Sequence, residues 1–380
     1  MSSVEEFRAE IRAWLADHLV GEFAELRGCG GPGREHEAFE GRLAWERHMA
    51  AHGWTCVGWP VEHGGRGASL EEQIAFHEEY ALADAPARVN HIGEQLLGPT
   101  LIAFGTEEQK KRFLPPIVAV EELWCQGYSE PDAGSDLANV RTRGALSPDG
   151  SQWVVDGQKI WTSLAHEAQW CFVVARTEPG SRRHAGLSYL LVPLDRPGVE
   201  VRPIVQLTGT SEFNEVFFDG ARTDASHVVG EPGDGWRIAM ATLGFERGVS
   251  TLGQQVGFRR EWDALAELAR KNGAIADPLI RDRLVRAWID LEAMAASARR
   301  GVDPSVGKLH WAAWHRGLGE LAMDVCGAAS TVAAGEPYEL DDWQRLFLFS
   351  RADTIYAGSD EIQKNIVAER LLGLPKEARV

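Results

Sequence analysis

The chain has 380 residues, 44% of them apolar and 25% charged, proportions that exclude a disordered, fibrous or collagenous protein and, at about 100–200 residues per domain, imply two or three domains. Its formal charge of −17 opposes nucleic-acid binding, because phosphate backbones need a basic footprint. The longest stretch free of Asp, Glu, Lys and Arg, His48 to Val61, falls short of the about 18 apolar residues that mark a membrane span. Met1-Ser2-Ser3-Val4-Glu5-Glu6 offers neither the basic nor the apolar region of a secretory signal, so a cytoplasmic protein is expected. Five cysteines without a Cys-x-x-Cys pair read as reduced thiols rather than a disulfide frame or zinc cluster.

Residues 1 to about 120 carry helical signals. Phe7, Ile11, Trp14 and Leu15 fall at i, i+4, i+7 and i+8, an apolar stripe of helical period. Thr106-Glu107-Glu108-Gln109 has the form of a capping box. Between them, Gly58-Trp59-Pro60 through Gly67 predicts a turn-rich loop. From about 123 to 233 the signal becomes short strands: Trp153–Val155, Trp170–Ala175, Leu187–Leu194 and Glu215–Phe218 are rich in β-branched and aromatic residues. Asp149-Gly150, Asp156-Gly157 and Asp219-Gly220 supply turns. After Gly235 helices return, clearest over Ile280–Ala296, Val306–Ala328 and Leu340–Thr354. Helices and strands are segregated, which opposes a doubly wound parallel sheet.

Several motifs are set aside. Gly28-Cys29-Gly30-Gly31-Pro32-Gly33 satisfies G-x-G-x-x-G, but it follows a helix rather than a strand and its proline removes an N–H. It is expected to be a flexible helix–helix loop. Gly301 to Lys308 lacks the spacing and the hydroxyl of a phosphate loop. His48 and His52 share a helix face, yet no third ligand is evident in the sequence, so no metal centre is expected.

Three segments carry chemistry together. Cys125 through Leu137, containing Tyr128-Ser129-Glu130-Pro131-Asp132-Ala133-Gly134-Ser135-Asp136, is a hydroxyl- and glycine-rich stretch whose N–H groups suit a polar ring or a phosphate. Lys159-Ile160-Trp161-Thr162-Ser163 presents a large aromatic beside a hydroxyl at a strand end. Ile355-Tyr356-Ala357-Gly358-Ser359-Asp360-Glu361 runs on to Glu369-Arg370-Leu371-Leu372-Gly373, and Ser359 is placed to N-cap the closing helix. Each alone reads as a turn or a cap.

In this order and spacing they resemble the acyl-CoA dehydrogenase family over nearly the whole chain. Gly58–Gly67, Gly105–Lys110 and Phe213-Asn214-Glu215-Val216 are similar to further family landmarks. The resemblance implies an α+β fold with an N-terminal helical domain (1–122), a β-barrel-like middle domain (123–233) and a C-terminal four-helix bundle (234–380). It implies FAD as cofactor and α,β-dehydrogenation of an acyl-CoA thioester, with electron-transfer flavoprotein as acceptor. Carried over residue by residue, Tyr128 and Ser129 line the flavin, Trp161 packs on its ring and Ser163 lies near N5, the hydride acceptor. Gly134 and Ser135 border the pantetheine entry, and Ser359 and Glu361 sit by the ribityl and pyrophosphate.

The general base departs from the commonest family pattern. Ala357 stands where many members carry a glutamate after the signature tyrosine. A second family solution places the base on a helix before an arginine, and Phe245-Glu246-Arg247-Gly248 matches it. Glu246 is the expected base, Arg247 orders the pocket, and the Ala357 N–H is left to polarise the thioester carbonyl. Two further departures concern the adenosine half of FAD: Asp324 and Asn272 replace polar or basic family positions, and an Asp beside a pyrophosphate repels it. A homo- or hetero-oligomer is implied. Two alternatives stay open: a weakly or non-catalytic partner subunit of a heteromeric dehydrogenase, and an oxidase or tailoring enzyme on a carrier-bound acyl group.

Overall fold

A computed structural model describes residues 3–246, 250–336 and 338–376, with the side chains of Glu246, Ser250, Thr251, Leu252 and Arg299 outside that description. The chain divides into two compact units. The first comprises Met1–Ala75, Asp84–Gln206 and Thr210–Arg247; the second comprises Phe76–Ala83, Leu207–Gly209 and Gly248–Val380.

In the first unit, α1 (Val4–His18) opens with a capping box in which Ser3 and Glu6 satisfy each other's backbone N–H groups. Phe7, Ile11 and Leu15 are buried on its inner face. Next come α2 (Phe39–Ala51), the start of α3 (Leu70–Leu82), α4 (Gly98–Phe104) and α5 (Glu107–Val118). Thr106 and Gln109 form the expected capping box on α5.

The strands of this unit are β1 (Trp124–Gly127), β2 (Arg143–Leu146), β3 (Gln152–Ser163), β4 (Trp170–Arg176), β5 (Leu187–Pro193), β6 (Val199–Ile204), β7 (Phe213–Asp224) and β8 (Val228–Val229). They form one mixed sheet in the order β6-β7-β3-β2-β4-β5-β8, with β1 added beside β4. The β1–β4 and β2–β4 pairings are parallel and the others antiparallel.

Both faces of β4 are buried, which is why its sequence is an unbroken apolar run rather than an alternating one. Phe172 and Val174 pack with Tyr189, Leu191 and the helical residues Leu101, Phe113 and Ile117. Cys171, Val173 and Ala175 pack on Trp153, Val155, Val216 and Phe218 of β3 and β7, so the sheet curls over its own second face. Helix α6 (Gly235–Glu246) joins the first of these cores through Ile238 and Ala239, and its buried Thr242 hydroxyl lies 2.8 Å from that of Thr100.

The second unit is helical: α7 (Ser250–Lys271), α8 (Pro278–Arg299), α9 (Pro304–Cys326), α10 (Asp342–Phe349) and α11 (Asp360–Ile366). Helix α9 is central, with Leu318, Leu321, Ala322 and Val325 buried against Leu265 and Ala269 of α7 and Leu284 and Leu291 of α8. The helix expected over Leu340–Thr354 is divided: α10 ends before Ser350 and a separate short turn covers Ala352–Thr354. No helix among the described residues is long and apolar enough to cross a membrane.

Candidate active site

The segment expected to bind polar groups begins as a strand. Trp124–Gly127 pairs in parallel with Trp170–Val173, and this pairing delivers Tyr128 into the core, 5% exposed. Beyond it, Glu130 and Ala133 exchange two backbone hydrogen bonds of 3.0 Å, closing a tight turn over Pro131 and Asp132. Gly134 and Ser135 are exposed on the far side of that turn.

A buried cation fixes this segment. Lys159 Nζ donates to Glu130 Oε1 (2.8 Å), to the Tyr128 carbonyl (3.0 Å) and to the Val174 carbonyl (2.8 Å). The Glu130 carboxylate also accepts from the Arg141 and Thr142 N–H groups, at 2.6 and 2.9 Å. Burial pulls the Lys159 ammonium below the usual lysine range, with Glu130 acting against that shift. Burial would raise Glu130, but the Lys159 charge and these hydrogen bonds hold it below the usual carboxylate range.

The pairing of β3 with β7 slips between Lys159 and Thr162, a bulge that re-aims the residues within it. Trp161 sits there at φ +60°, in the left-handed region that is costly for any side chain with a Cβ. Its indole is 56% exposed and meets only the edge of Phe213 among the ring contacts of the described residues. Burial across Trp161, Thr162 and Ser163 runs exposed, buried and half-buried, so the first and third residues face outward together. The Ile160 N–H donates to the Ser129 carbonyl at 2.9 Å. One unit therefore places Ser129 beside the strand that carries Trp161 and Ser163, while the neighbouring Tyr128 ring packs in the core against Phe172 and Tyr189. Backbone strain of the kind seen at Trp161 is a mark of functional sites.

In the second unit the closing signature rests on a buried charge network. His315 Nδ1 lies 2.5 Å from Asp353 Oδ2 and its Nε2 lies 3.0 Å from Glu261 Oε2. Burial opposes charge on this imidazole, but Glu261 and Asp353 outweigh it and lift His315 to about 10. Asp353 also accepts from the Tyr356 hydroxyl and, through its carbonyl, from the buried Lys308. Ala357 follows at φ +52° and Gly358 at φ +85°, and the Gln363 side chain donates to the Ala357 carbonyl at 2.9 Å. Ser359 N-caps α11 as expected, accepting from Ile362 N–H. Glu361 is exposed in the first turn, held below the usual carboxylate range by its own N–H and the Ser359 hydroxyl. Glu246 ends α6; its side chain, and Arg247 entirely, lie outside the described residues.

The sequence reading missed the roles of Lys159, Glu130 and His315, although Lys159 and Glu130 lie inside the segments that it marks. The Gly28–Gly33 segment is a turn-rich connection between helical elements, and the Gly33 and Glu35 N–H groups both donate to the Glu212 carboxylate at 3.1 Å. Arg42, buried beneath it, donates to the Glu35 and Ala87 carbonyls. A Cβ on Gly30, at φ +81°, would stand 2.3 Å from the Arg42 guanidinium carbon. Asp324, expected to repel a pyrophosphate, is paired with Arg283, and Asn272 donates to the Val325 carbonyl at 2.8 Å.

Family profiles described as the N-terminal, middle and C-terminal domains of acyl-CoA dehydrogenase match residues 2–121, 125–221 and 233–372. Among curated proteins, acyl-CoA dehydrogenase IpdE1 of Mycolicibacterium smegmatis is 66% identical, covering 100% of both chains. The protein of the same name from Mycobacterium tuberculosis is also 66% identical over 100% of both. Among solved structures, the Tcur3481-Tcur3483 steroid ACAD is 30% identical with a TM-score of 0.83, covering 98% of each chain. The ChsE4-ChsE5 complex from Mycobacterium tuberculosis is 28% identical with a TM-score of 0.80, covering 99% of each.

Proposed function

The chain belongs to the acyl-CoA dehydrogenase family, and on that premise we propose that it is the catalytic, flavin-bearing subunit of a heteromeric dehydrogenase acting on a bulky, steroid-derived acyl-CoA. The observation that supports the flavin most directly is the exposed indole of Trp161, held at φ +60° beside Ser129. An aromatic face on a backbone that cannot relax suits a flat ring system, and the cofactor suited to it is FAD. In the first unit Tyr128, Ser129, Trp161 and Ser163 would hold the ring; Ser359 and Glu361 are the residues that the family resemblance would assign to the ribityl and pyrophosphate. Gly134 and Ser135, exposed beyond the Pro131–Asp132 turn, border the path of the pantetheine arm.

Glu246 is the base. Its carboxylate takes the α-proton, the electrons of that C–H bond become the new C=C bond, and the β-hydrogen departs with its electron pair. FAD, when bound, would supply the redox chemistry as the two-electron acceptor for that hydride. The Ala357 N–H, presented by left-handed backbone at residues 357 and 358, polarises the thioester carbonyl without needing a side chain. Arg247 orders the pocket. Electrons leave to an electron-transfer flavoprotein.

The steroid substrate class is supported by the Tcur3481-Tcur3483 likeness, and the two-subunit assembly by that likeness together with ChsE4-ChsE5. The test is anaerobic. The chain is purified alone and with its co-expressed partner, and linear, branched and steroid-derived acyl-CoAs are added to the bound flavin. Bleaching by the steroid thioester, with an enoyl-CoA product and slow reoxidation in air, is the expected result. Fast reoxidation by oxygen would indicate an oxidase. A flavin that no thioester bleaches would indicate the non-catalytic subunit, a reading that Ala357 favours.

A further inference from the structure

His48 lies in the last turn of α2 and His52 caps its C-terminus, and the fold brings a third imidazole to them. His18, the last residue of α1, places Nδ1 2.9 Å from His48 Nε2. Two ring nitrogens at that distance share one proton, so one of them already acts as a lone-pair donor. His52 Nδ1 lies 2.8 Å from the His48 backbone carbonyl. A carbonyl only accepts, so the proton of a neutral His52 is on Nδ1 and its Nε2 carries the lone pair. A backbone carbonyl on the non-ligating nitrogen is the arrangement that orients metal-binding histidines.

One ligand atom from each of the three residues lies within 4.8 Å of the others. A tetrahedral zinc with Zn–N bonds of about 2.0–2.1 Å holds its nitrogens about 3.3 Å apart, so small ring rotations close the site. Aromatic rings flank two of the imidazoles: Trp14 stacks on His18 with centroids 4.6 Å apart, and Phe23 and Trp45 stand 5.2 and 5.9 Å from His48. His52 is exposed, which leaves an approach from solvent and a fourth position for water.

We propose that His18, His48 and His52 form a binding site for one late first-row divalent cation of the zinc class, clipping the end of α1 to the end of α2. An all-imidazole set selects such ions over magnesium or calcium, which prefer oxygen. None of the three histidines belongs to the proposed flavin or substrate machinery, so turnover does not depend on the ion.

The test uses the full-length protein in its purified, flavin-bound state. The metal-stripped protein is titrated with zinc sulfate by calorimetry, and retained zinc is counted after gel filtration. One zinc per chain and a higher unfolding midpoint are expected. His18→Ala and His52→Ala should each weaken binding about tenfold or more and abolish the stabilisation. His36→Ala, at an exposed histidine outside the cluster, should change neither. His52→Ala removes an exposed ring, so its loss of binding cannot be ascribed to unfolding. Failure of the wild type to retain zinc, or equal retention by the His18 and His52 variants, would overturn the proposal.

Discussion

Lys159 Nζ sits 2.8 Å from Glu130 Oε1, with the lysine side chain wholly buried and the glutamate 7% exposed. The pair joins β3, which carries Trp161, to the turn that follows Tyr128 and Ser129. Removing one partner strands the other charge in the core, which costs about 3–5 kcal/mol. Lys159→Met should therefore lower stability to urea by that order and reduce flavin retention. Adding Glu130→Gln should recover part of the stability, since no carboxylate is then left uncompensated. A Lys159→Met protein as stable as wild type would contradict this role.

His315 gives stability a defined dependence on pH. Its folded pKa of about 10 lies above the ordinary histidine value, so its contribution is complete below about pH 6.5. That contribution is lost as pH rises through 10, at up to about 1.4 kcal/mol per pH unit. Denaturation of wild type and His315→Gln at pH 6 and pH 9.5 (values set by those limits) should show a large difference at the lower pH and a small one at the higher. Equal differences at both would show that the Glu261–His315–Asp353 contact is not a charged one.

Trp161 combines backbone strain with an exposed aromatic. Trp161→Gly should relieve about 1 kcal/mol, because glycine accepts φ +60° readily. Thermal or urea stability of the flavin-free chain should stay level or rise, while bound flavin per chain falls. Unchanged flavin content would remove Trp161 from the cofactor site.

The sequence made legible what depends on local spacing. The stripe of Phe7, Ile11 and Leu15, the capping box on α5 and the Ser359 cap are all short-range patterns. Strands β4 and β5 were legible because both faces are buried and apolar. Strand β1 was hidden inside a hydroxyl-rich segment, being only four residues held by a parallel partner. Strand β6, with exposed Glu200 and Arg202 and a proline at 203, lacked an apolar signal. The relationships that matter most at the candidate active site and at the histidine cluster are long-range. Glu130 and Lys159 are 29 residues apart, and His18 and His48 are 30 apart. No local periodicity reports either pairing. The left-handed backbone at Trp161 and Ala357 is likewise invisible, since neither residue type announces a positive φ.

The central claim is that Glu246 abstracts the α-proton in a chain whose usual base position is Ala357. The most direct measurement is stopped-flow flavin reduction under anaerobic conditions, comparing wild type with Glu246→Gln at equal flavin content. Loss of a positioned general base costs about 10²–10⁴-fold in rate, so reduction in the variant should slow by that order while flavin and acyl-CoA still bind. Flavin reduction at the wild-type rate in Glu246→Gln would contradict the account and return the search for the base to another residue or another subunit.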